Sequence, residues 1–227
     1  MGIVLTPGFV GRWHSRYATA NATGVTAALW LLLPVAYLVG GFPTASIVAR
    51  ATGHDIRTEG SGNPGASNVY RLAGWRAGLI VLLVDIGKGS LAAGVGLALD
   101  GHRGAYLLGL AAVLGHVFPI TQRFRGGRGV ATAGGVMIVI YPVIALVLAV
   151  VWFLIARVLR KASVASIVCT VAFPVAVALT GNEWGDIVIT SALALLVLSR
   201  HASNLRRLVR GEEHGLDRDP PDGSVAP

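Results

Sequence analysis

Apolar residues form long continuous runs in this chain, and polar residues are confined to the short stretches between them. Nowhere do apolar and polar residues alternate with the period of two that marks the strands of a membrane barrel. A helix needs about 20 apolar residues to cross the hydrocarbon core of a membrane. Six runs are candidates for such helices: 26–49, 77–99, 104–120, 130–156, 162–180 and 187–199. The pattern predicts an all-α bundle of membrane helices.

Composition supports the same class of protein. Of the 227 residues, 54% are hydrophobic and 13% are charged, and the mean hydropathy is +0.67. A soluble domain has about 25% charged residues. No long polar segment separates the runs, so we expect a single transmembrane domain over residues 26–210. Residues 1–25 are expected to be an interfacial or disordered tail, and residues 211–227, rich in Pro, Gly and Asp, a disordered cytoplasmic tail.

The net charge of +8 does not indicate a nucleic-acid partner, because the basic residues lie beside the apolar runs, where the positive-inside rule applies. They form four clusters, at residues 50–76, 123–128, 157–161 and 200–210. The loops near Asp100 and Glu183 are short and poor in cations. We therefore expect these two loops outside the cell and the four basic clusters in the cytoplasm.

This arrangement requires the run 130–156 to cross the membrane twice, as two segments of roughly 13 residues each. Pro142, in the sequence "YPV", favours a break because proline lacks a backbone donor and disfavours helix in the residue before it. The resulting prediction is about seven transmembrane helices, with the amino end outside and the carboxyl end in the cytoplasm.

Three polar segments then meet on the cytoplasmic face of the membrane. They are "GSGNPGASNVYR" at 60–71, "GHVFPITQRFRGGRGVAT" at 115–132 and "HASNLRRLVRGEE" at 201–213. The glycine-rich loop of the first segment can present backbone amides to an anion. The second has glycines around Arg128 at a helix start, where exposed backbone amides and guanidinium groups are expected to form a cradle for a phosphate. In the third, His201 and Asn204 share a helix face.

Each of these features has a simpler explanation. A glycine-rich loop is often only a tight connection, and juxtamembrane arginines often report topology or contact anionic lipid. Asp85 and Lys88 favour the functional interpretation, because an ionisable pair inside a crossing is costly and indicates mutual pairing or a functional cavity.

Cys169 is the one cysteine of the chain and can form neither an intramolecular disulfide nor a zinc site. No metal and no cofactor are expected.

Over residues 41–213 the three segments, and "DIGKG" at Asp85, resemble the bacterial acyl-phosphate:glycerol-3-phosphate acyltransferases. The resemblance implies a seven-helix enzyme of the inner (plasma) membrane with its active site on the cytoplasmic face. The implied reaction transfers a fatty acyl group from acyl phosphate to the 1-hydroxyl of glycerol 3-phosphate. It gives lysophosphatidic acid and phosphate, the first step of bacterial phospholipid synthesis. The implied partners are these two substrates and membrane lipid, without acyl-CoA or acyl carrier protein.

The resemblance also implies roles for individual residues. Ser61, Arg71, His201 and Asn204 are the implied catalytic residues, with His201 either a general base or an orienting group. The implied substrate-binding residues are Gly62, Asn63, Asn68, Gly126, Gly127, Arg128 and Gly129. His116 begins the second motif, and Glu213 in the third is expected to be structural. A further polar site in the sixth crossing falls on Ser163 or Ser166.

Two positions depart from the family pattern. Arg128 stands where the family usually has lysine, and Ala202 and Ser203 stand where arginine and glutamate are more frequent. Arginine is planar and bidentate, so phosphate binding should persist with altered geometry. Two other functions stay open at this point. One is a transporter or channel for phosphate or a phosphorylated metabolite, and the other is a lipid-binding membrane protein without catalysis.

Overall fold

The computed structural model describes residues 27–216, and these residues form helices and connecting loops without a strand. The α-helices, in chain order, are α1 (Ala27–Gly40), α2 (Thr44–Ala51), α3 (Ala66–Ala73), α4 (Trp75–Val117), α5 (Val130–Ile140), α6 (Pro142–Leu159), α7 (Ala162–Leu179), α8 (Trp184–Ser199) and α9 (Ala202–Val209). A short 3₁₀ helix covers Ile120–Gln122. The prediction of an all-α protein is confirmed.

Helix α4 is a hairpin of two arms, 75–99 and 102–117. The chain turns at Asp100 and Gly101, and Gly101 has a φ of 58°, in the left-handed region that favours glycine. Gly96 and Gly104 face each other across the arms, and a Cβ atom on either would collide with the backbone of the other. The turn lies in the cation-poor loop that the sequence predicted between two runs.

The long run at 130–156 is broken where the sequence predicted. Helix α5 ends at Ile140, and α6 begins at Pro142, whose missing amide hydrogen is not needed in the first turn of a helix. The two segments are unequal, however, with 11 residues in α5 and 18 in α6. The expectation of two segments of roughly 13 residues was wrong, because α6 continues to Leu159, past the end of the apolar run.

Glycine and alanine allow the helices to approach closely. A side chain at Gly89 in α4 would collide with the carbonyl of Thr132 in α5, and one at Gly40 in α1 would collide with that of Ala112. Small residues at such crossings are typical of helices packed in lipid. Large apolar side chains point outward instead, including Leu31, Val143 and Leu179. The protein thus presents an apolar surface to its surroundings.

Length and composition identify four stretches of the described chain that could cross a membrane. A fifth is obtained if α8 and α9, which meet at 57°, count as one span. At one end of the bundle lie the loops that contain the three polar segments. At the opposite end the Tyr106 hydroxyl lies 2.8 Å from that of Tyr141 and donates to Asp186 at 2.9 Å. This contact joins α4, α8 and the residue between α5 and α6.

The predicted tails lie mostly outside the described residues, which exclude 1–26 and 217–227. Residues 211–216, which the sequence assigned to the carboxyl-terminal tail, are described and pack against the bundle. The Leu216 amide donates to the carbonyl of Arg160 at 2.7 Å, and Glu213 is buried. The folded part of the chain therefore extends beyond residue 210.

Candidate functional site

A large cavity of about 1020 Å³ brings the three polar segments together. Eight of the predicted site residues line it: Ser61, Asn63, Asn68, Arg71, Arg128, Gly129, His201 and Asn204. The other three, Gly62, Gly126 and Gly127, are not among its lining residues. Residues far apart in sequence thus converge on one space.

Asn68, at the start of α3, organises the first polar segment. Its side-chain oxygen accepts the Ser61 amide at 2.9 Å and Arg71 at 3.2 Å, and its amide nitrogen donates to the Glu59 carbonyl at 3.3 Å. Asn68 is almost fully buried. Because one residue fixes both Ser61 and Arg71, Asn68 determines the shape of this side of the cavity.

The loop before α3 depends on glycines with left-handed backbone. Gly60 has a φ of 57° and Gly62 a φ of 66°, and they flank Ser61. A Cβ atom at Gly60 would collide with the Asn68 side chain, and the Gly62 amide donates to the Glu59 carbonyl at 3.1 Å. The Ser61 hydroxyl is buried and has no hydrogen-bond partner among residues 27–216. It is placed to bond a ligand in the cavity.

Gly126 and Gly127 serve the second polar segment by close packing. Their amides donate to the carbonyl oxygens of Val117 and His116, at 3.2 and 3.1 Å. A Cβ atom on Gly126 would collide with the His116 carbonyl. Since both amide hydrogens are already bonded within the chain, these two residues do not form the amide cradle that the sequence suggested. Arg128 and Gly129 face the cavity in their place.

Arg128 lies in a strongly cationic environment. Burial lowers its pKa to about 10, and the nearby arginines contribute in the same direction, while Glu213 opposes the shift. The arginines concerned are Arg71, Arg200 and Arg207. Arg128 is charged at neutral pH. Four guanidinium groups around one carboxylate leave a positive excess, which favours the binding of an anion with more than one negative charge.

His201 and Asn204 are both about 1% exposed. His201 follows α8, and its Nδ1 lies 2.8 Å from the carbonyl oxygen of Val197. A carbonyl oxygen can only accept, so Nδ1 must be the protonated nitrogen and, in the neutral ring, Nε2 retains its lone pair. The imidazole therefore offers the cavity a hydrogen-bond acceptor.

Glu213 holds the third polar segment in place. It accepts Asn204 Nδ2 at 2.6 Å and Arg207 Nε at 2.9 Å. Burial acts to raise the pKa of the Glu213 carboxyl, but the bond from Asn204 and the charge of Arg207 outweigh it, so the pKa is lowered. The sequence predicted a structural role for Glu213. It did not predict the contact with Asn204, because that contact depends on the path of residues 210–216 and no local sequence pattern indicates it.

Away from the arginines the cavity is apolar. Its walls there include Leu82, Met137, Leu148 and Phe173, from α4, α5, α6 and α7.

Two serines of α7 also line the large cavity, and they differ in their contacts. Ser166 accepts Trp152 Nε1 at 3.0 Å, whereas the buried Ser163 hydroxyl lies beside the Glu213 carboxylate and helps to lower its pKa. Both positions that the sequence left open line the cavity.

Within residues 27–216 no group of three or more His, Cys, Asp or Glu side chains is arranged to bind a metal ion. The functional groups of the site are cations, hydroxyls, amides and an imidazole beside an apolar cavity.

A family model for glycerol-3-phosphate acyltransferase matches residues 30–211. This chain belongs to the glycerol-3-phosphate acyltransferase family. The sequence-based expectation of an enzyme of this class is confirmed.

Individual relatives agree with the family assignment. The glycerol-3-phosphate acyltransferase of Bacillus cytotoxicus is 45% identical over 187 residues, which are 81% of this chain and 93% of that protein. The Pseudomonas fluorescens enzyme is 40% identical over 190 residues, with 81% and 97% covered. Both alignments cover nearly the whole length of the relative.

Solved structures show the same fold. The glycerol 3-phosphate form of PlsY (YgiH), an integral membrane glycerol 3-phosphate acyltransferase, superposes with a TM-score of 0.80 at 34% identity, covering 83% of this chain and 96% of the other. The lysophosphatidic acid form gives a TM-score of 0.77 at the same identity, covering 83% and 95%. The chain is therefore an integral membrane protein that crosses the bilayer several times, and the family assignment favours acyl transfer over transport or simple lipid binding.

Proposed function

We propose that this protein transfers a fatty acyl group from an acyl phosphate to the 1-hydroxyl of glycerol 3-phosphate, releasing phosphate and lysophosphatidic acid. The observation that carries the proposal is the cavity itself, in which a cationic end adjoins an apolar end. The related structures were solved with glycerol 3-phosphate and with lysophosphatidic acid. A cavity of this kind accommodates the phosphate of the acceptor and the acyl chain of the donor at the same time.

Acyl phosphate as the donor fits the charge balance. A phosphate monoester has about 1.5 to 2 negative charges at pH 7, so two phosphates offset the excess of the arginine group around Glu213. The donor also combines one small anionic head with one apolar chain, which matches the two ends of the cavity. Acyl-CoA or acyl carrier protein would require a much larger polar surface.

In the proposed reaction the 1-hydroxyl oxygen attacks the acyl carbonyl carbon, and the bond between that carbon and the phosphate oxygen breaks. The hydroxyl proton passes to His201 Nε2, and the electron pair of the broken bond leaves with the phosphate. Arg71 and Arg128 bind the two phosphates, with Arg128 on the phosphate of glycerol 3-phosphate, while Ser61 and Asn204 orient the reacting groups. Because acyl phosphate is already activated, orientation and charge stabilisation supply most of the rate.

The proposed topology has seven crossings, formed by α1, the two arms of α4, and α5 to α8. It is supported by the position of all three polar segments at one end of the bundle, while the Tyr106, Tyr141 and Asp186 contact lies at the other. With the basic clusters in the cytoplasm, the amino end is outside and the active site faces the cytoplasm. Cysteine labelling of intact cells at Thr58 and at Asn182 tests this orientation, since only Asn182→Cys should react from outside.

The function is tested by measuring phosphate release from purified protein in lipid, supplied with palmitoyl phosphate, with and without glycerol 3-phosphate. Release that requires glycerol 3-phosphate, with lysophosphatidic acid as the lipid product, supports the proposal. Palmitoyl-CoA replaces the donor in a parallel reaction. Equal product from palmitoyl-CoA would contradict the proposed donor, and no product from either donor would contradict the reaction.

A further inference from the structure

A buried ion pair inside the membrane lies next to the cavity and has no part in the proposed chemistry. Asp85 and Lys88, in the first arm of α4, are 2% and 6% exposed, and Lys88 Nζ lies 2.7 Å from Asp85 Oδ1. Burial of two charges is costly even when they are paired. The position of this pair, between the α1–α2 connection and the glycine loop before α5, indicates what it does.

On one side the pair holds the break between α1 and α2. Lys88 Nζ donates to the Phe42 carbonyl at 2.6 Å, and the ammonium group lies 5.9 Å from the centre of the Phe42 ring. Phe42 belongs to the short connection between α1 and α2. Lys88 thus fixes the first arm of α4 to this connection.

On the other side the pair approaches the glycine loop that contains Arg128. Asp85 Oδ1 lies 3.8 Å from His116 Nδ1 at the end of α4. The His116 carbonyl accepts the Gly127 amide at 3.1 Å, and a Cβ atom on Gly127 would collide with Nε2 of the same imidazole. The backbone of Gly127 therefore rests against the His116 ring, and Arg128 is the next residue.

Little free space separates these groups. The small cavity that Asp85, Lys88, His116 and Gly127 share has a volume of about 10 Å³, at the lower limit for one water molecule. Asp85 and His116 also line the large cavity. Because His116 contacts both Asp85 and the backbone of Gly127, a change in the ion pair should be transmitted to the glycine loop.

We propose that Asp85 and Lys88 are positioning residues for the acceptor site: through His116 they hold Gly127, and with it Arg128, at the wall of the large cavity. The inference rests on the proposed role of Arg128 in binding glycerol 3-phosphate. It assigns a function to a pair that would otherwise be only a structural contact within the bundle.

The paired variant Asp85→Asn with Lys88→Met separates positioning from stability. It removes both charges at nearly constant volume, whereas Lys88→Met alone leaves a buried carboxylate without its partner. The dissociation constant of glycerol 3-phosphate is measured by calorimetry, and KM for palmitoyl phosphate by phosphate release. We expect the paired variant to unfold within a few degrees of the parent, to bind glycerol 3-phosphate about tenfold more weakly, and to keep the parental KM for the donor.

The control is Ser90→Ala in the same arm of α4, which removes the bond from Ser90 Oγ to the Gly135 carbonyl at 3.0 Å. It should lower the melting temperature and leave glycerol 3-phosphate binding unchanged. A stable paired variant with parental acceptor affinity would overturn the inference, as would an equal weakening of both substrates.

If the paired variant does not fold, the His116→Gln variant tests the inference instead, because it leaves the ion pair intact. Weaker acceptor binding with an unchanged donor KM supports positioning through His116, and parental values for both contradict it. Calorimetry does not depend on the donor. A parent protein that binds glycerol 3-phosphate but releases no phosphate would therefore contradict the proposed reaction and still allow this inference to be tested.

Discussion

His201 donates from Nδ1 to the carbonyl oxygen of Val197, four residues earlier, at 2.8 Å. This bond anchors the imidazole to the end of α8 and leaves Nε2 as the acceptor for the cavity. In the proposed reaction Nε2 receives the proton of the attacking hydroxyl. It also distinguishes the two nitrogens, so the role of each can be tested separately.

Substitution of His201 by Gln should lower kcat by about 10² to 10⁴, the range for loss of a general base. The parent's kcat/KM should fall at acidic pH as the imidazole becomes protonated, and this dependence should be absent from the residual activity of the variant. His102→Gln serves as the control, because His102 packs against Tyr141 at the opposite end of the bundle. A His201→Gln variant with parental kcat at pH 7 would contradict the base assignment.

Glycerol 3-phosphate should stabilise the protein through Arg128. Burial and the neighbouring arginines lower the pKa of Arg128 to about 10. A bound anion reduces the repulsion between these cations and so stabilises the folded protein. At a concentration of 100 times Kd the expected stabilisation is about 2.7 kcal/mol, measured as a rise in melting temperature. Arg128→Lys should keep most of this rise and Arg128→Met should lose it.

The control for Arg128 is Arg103→Met, which removes an exposed cation at the opposite end of the bundle. It should show the parental rise in melting temperature. An unchanged rise in Arg128→Met would place the acceptor phosphate elsewhere.

Removal of the Asn68 side chain should disable the first polar segment. Asn68→Ala deprives the Ser61 amide and Arg71 of their shared acceptor, and each lost buried bond costs about 1–3 kcal/mol. We expect kcat/KM to fall by at least tenfold, measured by phosphate release. The exposed Thr58→Ala in the same loop should have little effect, and parental turnover in Asn68→Ala would show that Asn68 does not organise the loop.

Glu213 should make stability depend on pH in the acid range. Burial opposes ionisation, but Asn204 and Arg207 lower the pKa of the Glu213 carboxyl below its unfolded value. Its stabilisation is therefore complete above the unfolded pKa of about 4.3 and is lost as pH falls through the folded pKa. Thermal unfolding between pH 7 and pH 3 should show a smaller loss of stability in Glu213→Gln than in the parent, and equal losses would contradict the prediction.

Hydropathy determined the class of this protein, because the length of an apolar run and the position of a proline are local properties. The turn at Asp100 and Gly101 and the break before Pro142 both occur where the sequence predicted them. The sequence did not predict the full extent of α6, because that helix continues past the apolar run 130–156, across Arg157, to Leu159. The three polar segments and their resemblance to one family were equally readable from the sequence, since each segment is continuous.

Only the tertiary structure decided what the residues of these segments do to one another. Arg128 and Glu213 are far apart in sequence, and their electrostatic contact depends on residues 210–216 folding back over the bundle. The amides of Gly126 and Gly127 looked available for an anion, but the carbonyl oxygens of His116 and Val117 already bind them. Hydrogen bonds and charge interactions act over a few ångströms in space, so they depend on how distant segments pack, which no local sequence pattern specifies.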